Sequence, residues 1–141
     1  MRAIAAAVEP CDVRDRGARD LPFAWTPEPG DALLYPVETS IRAEPEAVRR
    51  LVVIDGTWRQ TRRALYHLPG LVSLPRLDLP PRREDVRRLR RPPSDALMST
   101  AEAVANALRV LGDEEPAAHV EAVFDLQYAA IARLRGWVNP P

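Results

Sequence analysis

Leu51-Val52-Val53-Ile54 runs straight into Asp55-Gly56-Thr57-Trp58, and this junction restricts the fold more than any other stretch. Four consecutive apolar residues suit a strand covered on both faces, as in a parallel sheet. Thr57 followed by Gln60 fits a capping box, so a helix is predicted from Trp58. Open parallel sheets take their ligands where strands end and helices begin. Asp55 stands at that place. Capping accounts for Thr57 but leaves Asp55 and Trp58 unexplained.

The flanking sequence extends this pattern. Ala32–Tyr35 reads as a short strand halted by Pro36, and Glu44–Arg50 as a short helix entered through Pro45. With the Leu51–Ile54 strand they predict a parallel strand pair with a helical crossover. The helix from Trp58 should stop at Pro69-Gly70, with a third strand at Leu71–Leu74. Prolines and arginines crowd residues 75–95, which predicts a long binding loop. Ser99-Thr100-Ala101-Glu102 is a second capping box. Behind it Ala101, Val104, Ala105, Leu108 and Leu111 share one helical face, ended by Gly112. A last helix from about Pro116 to Gly136 should bury Val120, Val123, Phe124, Ile131 and Leu134.

The expected fold is therefore α/β, a small mostly parallel sheet flanked by helices. Residues 1–31, rich in proline, glycine and charge, read as an irregular N-terminal segment. Residues 32–136 read as the domain and 137–141 as a tail. Three strands make a narrow sheet, so a homodimer is one expected way of completing the core.

A chain of 141 residues supports one domain with a modest core. No stretch approaches the ~20 apolar residues of a bilayer-spanning helix. Glu9-Pro10 interrupts the short apolar start, and a cytoplasmic location is expected. Cys11 is the single cysteine, which excludes an internal disulfide and a cysteine-based zinc cage within this chain. His67 and His119 are isolated, so no metal is expected.

Net charge is zero, yet the charge is unevenly placed. All 20 basic residues are arginine, and from Arg59 to Arg91 ten arginines face three acids. Such a stripe can guide a polyanion to a neutral chain. Arginine also pairs bidentately with phosphate and stacks on bases. A solvated, salt-bridged surface is the competing explanation.

Several motifs together resemble one family. Asp55-Gly56-Thr57-Trp58 resembles the D-x-T-W signature of the DTW-domain proteins. Arg88-Leu89-Arg90-Arg91-Pro92 resembles their arginine-bearing segment, and Ser99-Thr100-Ala101-Glu102-Ala103 their S-T-x-E-A segment. Leu33-Leu34-Tyr35-Pro36 is similar to their strand-then-proline stretch. The resemblance runs from about Ala32 to Arg135. The cysteine-rich N-terminal part of family members, which looks like a zinc site, has no counterpart here beyond Cys11, and Arg87 stands where the family often has an aromatic residue.

The resemblance implies a SPOUT-like, knotted Rossmann-type fold and S-adenosylmethionine as donor. It implies transfer of the 3-amino-3-carboxypropyl group to N3 of a tRNA uridine, with 5′-methylthioadenosine released. The nitrogen displaces a neutral thioether at carbon, so alignment and removal of the N3 proton are what remain for the protein. Asp55 is the candidate base. A free Asp has a pKa of ~3.9, and burial at the strand end would raise it. Thr57, Trp58, Ser99, Thr100 and Glu102 are the candidate donor-binding residues. Trp58 suits either stacking on a base or adenine, or core packing. Ser99 and Thr100 open a helix whose N-terminus favours a carboxylate. Glu102 suits either capping or the donor's amino group. Arg82, Arg83, Arg88, Arg90 and Arg91 are the candidate RNA-binding residues, with Arg88 and Arg90 suited either to tRNA phosphate or to the donor's carboxylate. Two other readings stay open: a non-catalytic RNA-binding relative, and a SPOUT-type RNA methyltransferase.

Overall fold

The structure, a computed structural model, describes residues 26–35, 41–68, 70–83, 88, 89, 94 and 97–137. Cys11, Arg87, Arg90 and Arg91 lie outside the described residues, as does the whole segment before Thr26. Strand β1 (Asp31–Leu34) pairs in parallel with β2 (Arg50–Val53), with Leu33 opposite Val52. Between them the expected short helix is a single 3-10 turn, Pro45–Ala47. Three α-helices follow: α1 (Trp58–His67), α2 (Thr100–Val110) and α3 (Glu114–Leu134).

Both faces of the strand pair are covered, as the apolar run at residues 51–54 requires. Ala32 and Leu34, with Leu51 and Val53, pack with Leu77, Val104, Leu108 and Val120 of the α2/α3 side. Leu33, with Val52 and Ile54, packs on the other side with Leu65 of α1, Leu71 and Leu74. The two-residue alternation thus sorts the strands between two apolar clusters. Helices α2 and α3 are clipped by Arg109, whose two terminal nitrogens each lie 2.7 Å from an oxygen of Glu121.

The third strand expected at Leu71–Leu74 is a turn instead. Leu71 and Leu74 are buried while Val72 and Ser73 face outward. Burial at a spacing of three belongs to a turn, whereas a strand buries every second residue. The Leu71 and Leu74 amides donate to the carbonyls of Leu68 and Leu71, and the Ser73 hydroxyl donates to the Gly70 carbonyl. The sheet is extended just beyond, by single-residue parallel bridges from Arg76 to Leu33 and to Arg42. There Leu33 N–H donates to the Pro75 carbonyl at 2.7 Å, and Leu77 N–H to the Leu33 carbonyl at 3.2 Å.

The burial expected along the last helix also differs. Ala117, Val120 and Tyr128 are buried, Val123, Phe124 and Ile131 are half-buried, and Leu134 is 87% exposed. With 21 residues against 11, α3 is about twice as long as α2 and runs ~15 Å past it. Leu134 lies in that overhang.

The start of β1 is tied down by charge and by backbone. Gly30, at φ +88°, offers its carbonyl to the N–H groups of Arg49 and Arg50. A Cβ there would lie 2.6 Å from Cγ of Arg49, so the position admits only glycine without rearrangement. Asp31 is buried and accepts from Glu28 N–H and from Nε and Nη2 of Arg50. The bond from Arg50 holds the Asp31 carboxyl below the usual carboxylate range, against the opposing effect of burial. The proton therefore binds more readily in the unfolded chain. The stability from this pair is complete above the ordinary pKa of ~3.9 and is lost as the pH falls through the lower folded value. Asp31→Asn is expected to remove about 1–2 kcal/mol at neutral pH, discounted for the exposure of Arg50. It is also expected to flatten the acid side of a stability–pH curve measured by urea unfolding. An unchanged acid limb would assign acid sensitivity to other groups.

Candidate functional site

The two helix starts that carry the motifs are built alike. At the head of α1 the Gln60 N–H donates to Oγ1 of Thr57, and the Thr57 N–H donates to Oε1 of Gln60 at 2.9 Å. At the head of α2 the Glu102 N–H donates to Oγ of Ser99 at 3.2 Å, and the Ser99 N–H donates to Oε2 of Glu102 at 2.8 Å. Both are complete capping boxes. They fix two helix N-termini, each with N–H groups not used inside its helix.

Asp55 lies between them. It follows the end of β2 and precedes α1, and Oγ1 of Thr100 donates to its Oδ1 at 2.9 Å. This one bond joins residues 45 positions apart in sequence. It brings the Asp55–Trp58 motif against the Ser99–Ala103 motif. Asp55 is exposed, in contrast to the burial expected for it, and its carboxylate is oriented by a hydroxyl rather than enclosed by apolar groups.

Glu102 is buried behind Ser99, and its Oε1 accepts from Nε of Arg82 at 3.1 Å. The two side chains are 6% and 11% exposed. Arg82 therefore spans from the arginine-rich loop to the base of α2. Arg83 is exposed and Arg88 is half-buried. Trp58 is half-buried, with its ring 6.3 Å from that of Tyr35 at a tilt of 48°. Tyr35 directly follows β1, so the two aromatic rings lie at the same sheet end as Asp55.

One feature lies, apart from Trp58, outside the residues singled out by motif. Trp58, Arg59, Arg62, Arg63, Tyr66 and His67 line a shallow cleft of about 470 Å³ along α1. Its signal is present in the sequence as helical spacing of three and four among the arginines. Counting the arginine stripe as a whole obscured it.

Among the described residues, no group of three or more His, Cys, Asp or Glu side chains is placed to hold a metal ion. No described helix is long and apolar enough to cross a membrane.

The sequence matches the DTW domain over residues 15–132, beginning ahead of the first strand and ending inside α3. No curated protein and no solved structure matches the chain. A DTW domain is consistent with tRNA modification, and the match spans most of the polypeptide. The chain belongs to the DTW-domain family.

Proposed function

We infer that this protein is a tRNA-uridine aminocarboxypropyltransferase that uses S-adenosylmethionine as donor. The observation that carries this reading is the Thr100–Asp55 hydrogen bond, which sets a carboxylate beside the N-terminus of α2 at one end of the parallel strands. The donor is a sulfonium with an amino acid head. Its cationic groups suit Asp55, and its carboxylate suits the positive end of α2. Bound, it supplies a carbon activated toward displacement.

In this reading Asp55 accepts the uridine N3 proton as the new bond to carbon forms. Thr100 donates to Oδ1 of Asp55 and orients the carboxylate that takes the proton. Ser99 and Thr100, on α2, orient the donor, and Thr57 fixes the turn that carries Asp55. Trp58 offers an aromatic face for a base. Glu102 holds the head of α2 in place, and Arg82 holds Glu102. Arg83 and Arg88, with Arg90 and Arg91, contact tRNA phosphate. A SPOUT-like knotted winding and a cytoplasmic location belong to the same reading.

The exposure of Asp55 favours a second reading, a relative that binds RNA without catalysis, because the first reading needs a reacting centre closed to water and this carboxylate lies open to it. One experiment separates the readings: incubation with bulk tRNA and S-adenosylmethionine, followed by mass spectrometry of the nucleosides. A uridine heavier by one aminocarboxypropyl group is expected. A methyl gain would mean a methyltransferase, and no gain despite tRNA binding would mean the non-catalytic relative.

A further inference from the structure

Helix α1 has a composition that helix stability alone does not call for. Its sequence is Trp58-Arg59-Gln60-Thr61-Arg62-Arg63-Ala64-Leu65-Tyr66-His67, with no acidic residue. Arg59, Arg62 and Arg63 fall in its first two turns. Cations near a helix N-terminus oppose the helix dipole. Arg59 also lies three and four residues from Arg62 and Arg63, a spacing at which like charges repel by a few tenths of a kcal/mol. Thr61 and Leu65 point inward, while Arg59, Arg62, Arg63, Tyr66 and His67 are exposed. Tyr66 is 69% exposed, an aromatic ring left on a cationic face. Among the described residues none of the three arginines takes part in an ion pair.

An incoming anion would relieve both unfavourable features. We propose that this face of α1 is the docking surface for the single-stranded RNA that flanks the target uridine. The proposal rests on the tRNA-modifying reading above and adds a surface to it. The face begins three residues after Asp55 and is about 15 Å long. It therefore leads a strand toward the proposed base. N3 of uridine lies on the pairing edge, so the target must be unpaired to react, and unpaired bases stack on aromatic rings. The guanidinium groups of Arg59, Arg62 and Arg63 take successive phosphates. Tyr66 takes a base face. Trp58, packed on Tyr35, forms the end of the cleft nearest Asp55.

The test measures binding of bulk tRNA and of heparin against salt concentration. Arg62→Gln/Arg63→Gln is compared with Arg133→Gln/Arg135→Gln at the end of α3, which removes the same charge. All the altered side chains are exposed, and circular dichroism checks that each variant is folded. The α1 pair is expected to weaken tRNA binding about tenfold or more and to lower the salt slope by about 1–2. The α3 pair is expected to change neither. Tyr66→Ala is expected to weaken tRNA binding about fivefold or more and to leave heparin binding unchanged. Equal loss from the two arginine pairs, or an unchanged slope in the α1 pair, overturns the proposal. So does equal loss of tRNA and heparin binding in Tyr66→Ala. Absence of tRNA binding by the unaltered protein overturns both this proposal and the reading beneath it. Binding that persists unaltered in the α1 variants overturns the docking surface alone.

Discussion

Asp55→Asn is expected to lower the rate of uridine modification by at least about 100-fold while leaving the protein folded. The amide oxygen of Asn can still accept from Thr100, so the tie between the two motifs survives the change. What disappears is the capacity to take a proton. The rate is read by mass spectrometry of nucleosides over time, and the fold by circular dichroism. S-adenosylmethionine binding, measured by calorimetry, should weaken less than the rate falls, because the N-terminus of α2 still holds the donor's carboxylate. A variant as active as the parent would remove Asp55 from the chemistry and leave it as the link between two helix starts.

The second large effect is on stability. Glu102→Ala removes the acceptor for Ser99 N–H and the carboxylate paired with Arg82 in one change. Breaking a pair this little exposed, together with loss of a cap, is expected to destabilise the fold by about 3 kcal/mol. Urea unfolding should show a lower midpoint at constant slope. Glu102→Gln keeps an acceptor for Ser99 N–H and loses the charge, so it should fall between Ala and the parent. A Glu102→Ala variant within about 0.5 kcal/mol of the parent would mean that the pair is solvated and weak.

The parts readable from sequence were those written in a few adjacent residues. The apolar run at residues 51–54 specified a doubly covered strand, and the spacings Thr57–Gln60 and Ser99–Glu102 specified two helix starts. Each involves contacts over four residues or fewer. Leu71–Leu74 was ambiguous because four apolar-rich positions fit both a strand and a turn, and the pairing edge was taken by Arg76 instead. Leu134 misled because helical spacing gives the face of a helix but not the length of its partner. The contacts that assemble the candidate site are different in kind. Thr100 reaches Asp55 across 45 positions, and Arg82 reaches Glu102 across 20. Family resemblance marked the motifs of Asp55, Thr100 and Glu102 as belonging together, while Arg82 was read only as part of the arginine stripe, and no local pattern specified which atom meets which. Nor did the burial of the strand extend to Asp55, since β2 ends at Val53 and Asp55 already stands clear of the sheet.

Asp55 sits near the positive poles of two helices at once, through the Thr57 turn of α1 and the Thr100 hydroxyl of α2. In the reading proposed above, that arrangement would act as a chemical filter. A simple acid drawn to the head of α2 meets an anion already in residence and is repelled by it. A molecule whose negative end is shadowed by its own cation meets attraction on both sides. A zwitterion is therefore expected to bind at this corner more tightly than a bare carboxylate.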